Sequence, residues 1–335
     1  MIALPWRVKK IMNLSGNKIG ICIPTYNRAR YLDKCLESVC REAEKFGFPI
    51  YVSDNCSVDD TGAILKLYQL RSNNFKYSVN ESNLGLYKNI LKVIGMAQTE
   101  YIWLMGDDDA ILTGHIEKIV ATIDQGYDYV VLNSVPYDIE LERKRGEKII
   151  ACIKDTEYNK GESADLLVNL KKWSYHGYIS SMIIKTKLLH DLMPKYCNES
   201  FSIYGNIWFP LALFYEAIAH QSGIFVCDPV VMNRDNPRAS GKNFWNYMFI
   251  DHLKALEYIG SEGYAFVNMR DFLKLIDIIL IATISKHKDP NTTLLDEYIK
   301  KKKSFPCYLK LLLLFIDMIP KFLIDILNNL IYKLK

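Results

Sequence analysis

The sequence predicts an α/β fold, a mostly parallel sheet flanked by helices, followed by a helical C-terminal extension. Three observations carry this. From Ile19 to Ser134, five short apolar runs (19–24, 50–54, 75–79, 101–105 and 127–133) alternate with segments of helical spacing (31–46, 61–71 and 86–97). The runs are mostly β-branched or aromatic and stop at turn or polar residues, as buried parallel strands do. Strands alternating with helices imply right-handed crossovers and a doubly wound sheet.

The first run leads into Pro24-Thr25-Tyr26-Asn27-Arg28, a strand-to-helix turn in which Asn27 is the expected cap. The second ends at Asp54-Asn55, and Ser57 with Asp60 has capping-box spacing ahead of the next helix. The third precedes Asn83-Leu84-Gly85, a tight turn. The fourth runs straight into Gly106-Asp107-Asp108-Asp109. Beyond residue 135 the rhythm changes. A charged stretch at 140–148 is expected to be a loop or hairpin, 180–185 and 224–232 are further strands, and 206–219 is an aromatic-rich helix. Residues 233–242, with Pro237 and Gly241, suggest a mobile loop carrying Arg234, Arg238 and Lys242. The expected division is an extension at 1–17, a main domain at 18–243 and a helical region at 244–335.

Composition narrows the function classes. Half of the 335 residues are apolar and 24% are charged, which suits a folded chain rather than a disordered one. A net charge of +4 is too small to imply nucleic acid. The eight cysteines form no C-x-x-C pair and are expected to be free thiols in a reducing compartment. No signal peptide is expected, because the first sixteen residues hold no apolar stretch long enough, and no run reaches the length needed to span a bilayer. In the tail, Lys300–Lys303 precedes a Leu-, Ile- and Phe-rich stretch interrupted by charges and by Pro320. That pattern fits an amphipathic helix in the membrane interface, or one packed on the domain or a second subunit.

The aspartate run carries the sharpest chemistry. Three adjacent carboxylates repel one another, so a folded protein holds them for a cation or leaves them solvated. A divalent ion with oxygen ligands would relieve the repulsion and keep coordination sites for phosphate oxygens. A solvated acidic turn capping the next helix is the alternative. Open α/β sheets bind ligands in the crevice beyond their strand ends, where Thr25–Asn27, Asp54-Asn55 and Asp107–Asp109 converge.

The motifs Ile-Pro-Thr-Tyr-Asn-Arg (23–28), Ser-Asp-Asn-Cys-Ser-Val-Asp-Asp-Thr (53–61), Asn-Leu-Gly (83–85) and Gly-Asp-Asp-Asp (106–109) resemble family-2 glycosyltransferases of the GT-A (Rossmann-like) fold. Within that family the chain is most similar to abequosyltransferase-like enzymes of O-antigen and capsule assembly. The resemblance implies that Pro24, Thr25, Tyr26 and Arg30 line a nucleotide pocket, and that Asp54 contacts the base. Asn83 and Lys88 would approach the ribose or phosphates. Asp108 would hold Mn²⁺ or Mg²⁺ with Asp109 beside it. Gly106 stands where relatives carry a first carboxylate, so Asp107 takes that part or the contact is lost. Apart from the resemblance, the loop residues Arg234, Arg238 and Lys242 are expected to close over the diphosphate or to form a solvated basic loop.

The resemblance further implies a sugar moved from a nucleoside diphosphate sugar to a hydroxyl of a lipid-linked glycan, on the cytoplasmic face of the cell membrane. Relatives usually carry an acid pair as general base. The matching stretch, 202–208, has no carboxylate, which leaves Glu199, Asp235 and His176 as candidates. A nucleotidyltransferase on a similar fold and a non-catalytic glycan-binding or scaffolding relative are the alternatives.

Overall fold

The computed structural model describes residues 17–163, 165–166, 170, 177–198 and 209–234, with 255 and 258. Two compact units divide the chain, Met1–Gly205 with Phe209–Asn236, and Asn206–Trp208 with Pro237–Lys335. The elements below belong to the first. The expectations for 244–335, for Arg238 and Lys242 and for the three base candidates His176, Glu199 and Asp235 lie outside the described residues.

The predicted parallel sheet is present. Strands β1 (Ile19–Thr25), β2 (Ile50–Asp54), β3 (Phe75–Val79) and β4 (Tyr101–Leu104) run parallel in the order β3-β2-β1-β4. They are linked by α1 (Ala29–Glu44), α2 (Thr61–Arg71) and α3 (Leu86–Met96). Every residue of β1, β2 and β4 is buried, as expected of strands covered on both faces. β3 forms the sheet edge and is half exposed.

The second half makes the sheet mixed. After β5 (Ala110–Ile111) and α4 (Ile116–Ile123) come β6 (Tyr129–Tyr137), β7 (Thr156–Tyr158), β8 (Met182–Lys185), α5 (Thr186–Tyr196), α6 (Phe209–Ile218) and β9 (Gly223–Arg234). β8 lies antiparallel between β4 and β6, β6 and β9 are parallel, and β5 and β7 pair antiparallel with β9. The charged stretch folds as the expected hairpin, with Tyr137 bridged to Lys144. A continuous core runs from Ile21 and Ile23 through Trp103 and Met105 to Ile183 and Val231. Trp103 anchors it, with its ring buried and Nε1–H donating to Ser180 O at 2.9 Å. Truncating such a side chain to alanine costs about 3–5 kcal/mol.

Two local expectations are corrected. Asn27 does not cap α1, because its backbone sits at φ 51° and its side chain accepts from Val58 N–H. Ser57 and Asp60 form no capping box, because Ser57 Oγ is turned onto Asp54 Oδ1 at 2.5 Å. Asp59 serves both helix starts instead, accepting from Ala29 N–H at 3.0 Å and from Thr61 N–H at 3.1 Å. One carboxylate thus satisfies otherwise unpaired donors of α1 and α2 and locks the first two turns together.

The free-thiol expectation also fails for two cysteines, since Cys152 and Cys227 are joined in a disulfide. The chain returning from the hairpin runs back along β6, with Ile149 N–H bonded to Ser134 O and Asn133 Nδ2–H to Ile150 O. This return brings Cys152 against β9. Cys22, Cys35, Cys40, Cys56 and Cys197 are free. No helix among the described residues is long and apolar enough to cross a membrane.

Candidate functional site

The parallel register brings three strand ends to one edge, with Thr25 opposite Asp54 and Asp54 opposite Val79. β1 outruns β4. The last sheet bond there joins Met105 N–H to Cys22 O at 2.9 Å, after which the chain leaves at Gly106 while β1 continues to Thr25. The aspartate run therefore turns in front of the end of β1, and Thr25 Oγ1–H donates to Asp107 Oδ2 at 2.8 Å.

Two of the three carboxylates face one cation. Asp107 Oδ1 and Asp108 Oδ2 share one cation, the Arg28 guanidinium, at 3.8 and 3.5 Å. Asp109 points away from it. Its Oδ2 accepts from Tyr178 OH at 2.8 Å and Ser180 Oγ–H at 2.5 Å, and its Oδ1 accepts from Arg234 N–H at 3.1 Å. Ser180 Oγ also accepts from Gly106 N–H at 2.9 Å. Burial pushes both the Asp107 and Asp109 carboxyls up to about 7, and the neighbouring Asp108 charge adds to the push. Arg28 and the hydrogen bonds to each group pull the other way.

The glycine ahead of the run has a steric reason. A Cβ on Gly106 would lie 3.2 Å from Asp109 Oδ2 and 3.3 Å from both Asp108 Oδ1 and Ser180 Oγ. The Asp109–Ser180 contact thus borders the space a side chain at this position would need.

Arg234 ends β9 rather than riding on a loop, and it is 5% exposed. Its guanidinium lies over the Tyr31 ring at 4.9 Å, and Nε–H donates to Asp108 O at 2.5 Å. Nη1 donates to Ile139 O, while Nη2 is buried without a hydrogen-bond partner. Arg234 therefore braces the backbone of the aspartate turn.

The remaining predicted residues frame the same edge. Pro24 and Thr25 are buried in the last turn of β1, and Tyr26 is 41% exposed beyond it. Asp54 is buried and oriented by Ser57. Asn83 Oδ1 accepts from Asn55 Nδ2–H at 2.8 Å and Gly85 N–H at 2.9 Å, building a turn that needs glycine because Gly85 has φ 80°. Lys88 is half-buried in the first turn of α3. Arg30 is turned onto Glu140 of the hairpin at 2.8 Å. Sequence reasoning missed Ser180 and Tyr178. They enter because β8 is antiparallel to β4, so the residues preceding β8 arrive where β4 ends.

Among the described residues, no three His, Cys, Asp or Glu side chains converge on one point. Two carboxylates already facing a shared guanidinium do fit an ion that takes one or two protein carboxylates and completes its shell with phosphate oxygens and water. Asp108 is the more open of the two, its side chain 25% exposed against 11% for Asp107.

Comparison with known proteins shows the family and the fold. The family model "Glycosyl transferase family 2" matches residues 20–193. Abequosyltransferase RfbV of Salmonella typhimurium is 28% identical over 255 residues, 71% of this chain and 73% of that protein. A Campylobacter jejuni enzyme named GalNAc(5)-diNAcBac-PP-undecaprenol beta-1,3-glucosyltransferase is 29% identical over 192 residues, 56% of this chain and 57% of the relative. Among solved structures, Staphylococcus aureus TarS 1–349 in complex with UDP superimposes with a TM-score of 0.55 at 18% identity, covering 78% of this chain and 70% of that one. Its likeness establishes the GT-A fold. The family match spans more than half of the 335 residues, and the chain accordingly belongs to glycosyl transferase family 2 and is a glycosyltransferase.

Proposed function

We propose that this glycosyltransferase moves a sugar from a nucleoside diphosphate sugar to a hydroxyl of a lipid-linked glycan during bacterial surface polysaccharide assembly. One observation carries the donor assignment: Asp107 and Asp108 face a common cation at the sheet edge where Thr25 and Asp54 also end. The relatives' names support the rest. One acts on an undecaprenol-linked glycan by its name, and the TarS structure carries UDP.

Asp108 is assigned to Mn²⁺ or Mg²⁺, Asp107 shares the ion's charge, and Asp109 supports the turn from behind. When bound, the ion supplies Lewis-acid neutralisation of the leaving diphosphate. The protein's own residues do the positioning. Asp54 takes the base, Pro24, Thr25 and Tyr26 line the nucleotide, and Asn83 and Lys88 approach the ribose or phosphates. Arg234 offers its unpaired Nη2 to an anionic oxygen, and Arg30 joins once it leaves Glu140. The general base is assigned to the set His176, Glu199 and Asp235. We place the enzyme on the cytoplasmic face of the cell membrane, held by its C-terminal tail.

The test is release of nucleoside diphosphate from UDP-, GDP-, CDP- and dTDP-sugars by purified protein with Mn²⁺ or Mg²⁺. Turnover of one nucleotide class, abolished by EDTA, is the expected result. No turnover of any donor with lipid-linked acceptor present would refute the reading.

A further inference from the structure

We propose that Arg28 is the resident counter-cation of Asp107 and Asp108, and that it trades places with the divalent ion. As the ion enters, the guanidinium leaves the carboxylates and takes the donor's diphosphate. This rests on the metal reading above and adds a role for a residue to which that reading gives none.

Arg28 neutralises the pair without binding it tightly. Its approaches of 3.8 and 3.5 Å exceed the 2.7–2.9 Å of a charge-assisted hydrogen bond. Its side chain is 37% exposed, so the guanidinium has solvent on one side and room to swing. Its backbone is fixed. Arg28 is the first residue outside α1, and the preceding Asn27 is tied to the neighbouring loop through Ser57 Oγ and Val58 N–H. The Tyr31 ring, 5.5 Å from the guanidinium carbon, offers a flat surface along which the side chain can move.

Charge balance gives the exchange its direction. Among the described residues, Arg28 and Arg234 are the cations touching the aspartate run, while Arg30 is spent on Glu140. With all three carboxylates ionised, two guanidinium groups would leave one negative charge in excess, in a site that burial makes hostile to charge. A divalent ion reverses the sign and leaves one positive charge in excess. Asp107 and Asp108, which would hold the ion, already face the Arg28 guanidinium, so ion and guanidinium would repel. A diphosphate arriving with the ion gives the displaced guanidinium a better acceptor, held by charge-assisted hydrogen bonds.

The experiment is Mn²⁺ binding to the nucleotide-free protein, followed by electron paramagnetic resonance of the free ion, for wild type, Arg28→Ala, Arg28→Lys and Asp108→Ala. Inorganic pyrophosphate is then titrated into each Mn²⁺-loaded protein by calorimetry. Arg28→Ala is expected to bind Mn²⁺ about fivefold more tightly, the scale of a part-exposed ion pair removed. It should bind pyrophosphate about tenfold or more weakly, as for a lost hydrogen bond to a charged group. Arg28→Lys should fall between wild type and Arg28→Ala in both. Unchanged or weaker Mn²⁺ binding by Arg28→Ala, or unchanged pyrophosphate binding, overturns the exchange alone. Equal Mn²⁺ binding by Asp108→Ala and wild type overturns the metal assignment and the exchange with it.

Discussion

Ser180 Oγ donates to Asp109 Oδ2 at 2.5 Å while accepting from Gly106 N–H at 2.9 Å, so one hydroxyl closes the aspartate turn at both ends. All three groups are removed from solvent or nearly so. Ser180→Ala leaves a buried N–H and a buried carboxylate each short of one partner. The expected cost is about 1–3 kcal/mol, measured by urea unfolding. Donor turnover should fall as well, because the turn that presents Asp108 loses its tie to the end of β8. A variant as stable as wild type would show that Ser180 does not hold this turn.

The Asp107 carboxyl makes a pH prediction. Its folded value, pushed up by burial to about 7, lies above the unfolded value near 4. Between those values the unfolded chain has released a proton that the folded chain keeps. Stability of the ion-free protein therefore falls as pH rises through that window. Asp107→Asn removes this penalty and keeps an acceptor for Thr25. Thermal melts in EDTA should show the variant more stable than wild type at pH 7.5, by on the order of 1 kcal/mol, with the gap closing near pH 4. Its donor turnover should drop. A variant less stable than wild type at neutral pH would contradict the electrostatic account.

The Cys152–Cys227 bond joins positions 75 residues apart. Closing a loop of that length restricts the unfolded chain by about 4 kcal/mol in the chain-entropy picture. Protein purified without reductant should show two fewer titratable thiols than after reduction, and dithiothreitol should lower its melting temperature. Cys152→Ser should remove the difference. Equal thiol counts before and after reduction would show the pair to be two thiols, the state a reducing cytoplasm favours.

The first half of the fold was legible because its signals are local. Runs such as Ile50–Asp54 begin apolar and end at polar turn residues, and parallel strands deliver Thr25, Asp54 and Asp107 to one edge. What escaped depends on partners far along the chain. Ser57 has capping spacing toward Asp60, yet the buried Asp54 carboxylate wins its hydroxyl, and Asp59 caps two helices at once. Arg234 follows a run that does read as a strand, but Pro237 and Gly241 drew the expected loop boundary back past it. Ser180 and Tyr178 acquire meaning only from the antiparallel placement of β8, which no local pattern encodes. β5, at two residues, is too short to leave a periodic signal.

Asp108 is proposed to carry the ion on which the donor binds. Calorimetric titration of the turned-over nucleoside diphosphate sugar into wild type and Asp108→Ala, with and without Mn²⁺, tests it most directly. Wild type should bind at least tenfold more tightly with Mn²⁺ than without, as expected when charge-assisted contacts to phosphate are gained, and Asp108→Ala should gain nothing from the ion while melting like wild type. Equal Mn²⁺ enhancement in both proteins would contradict the account.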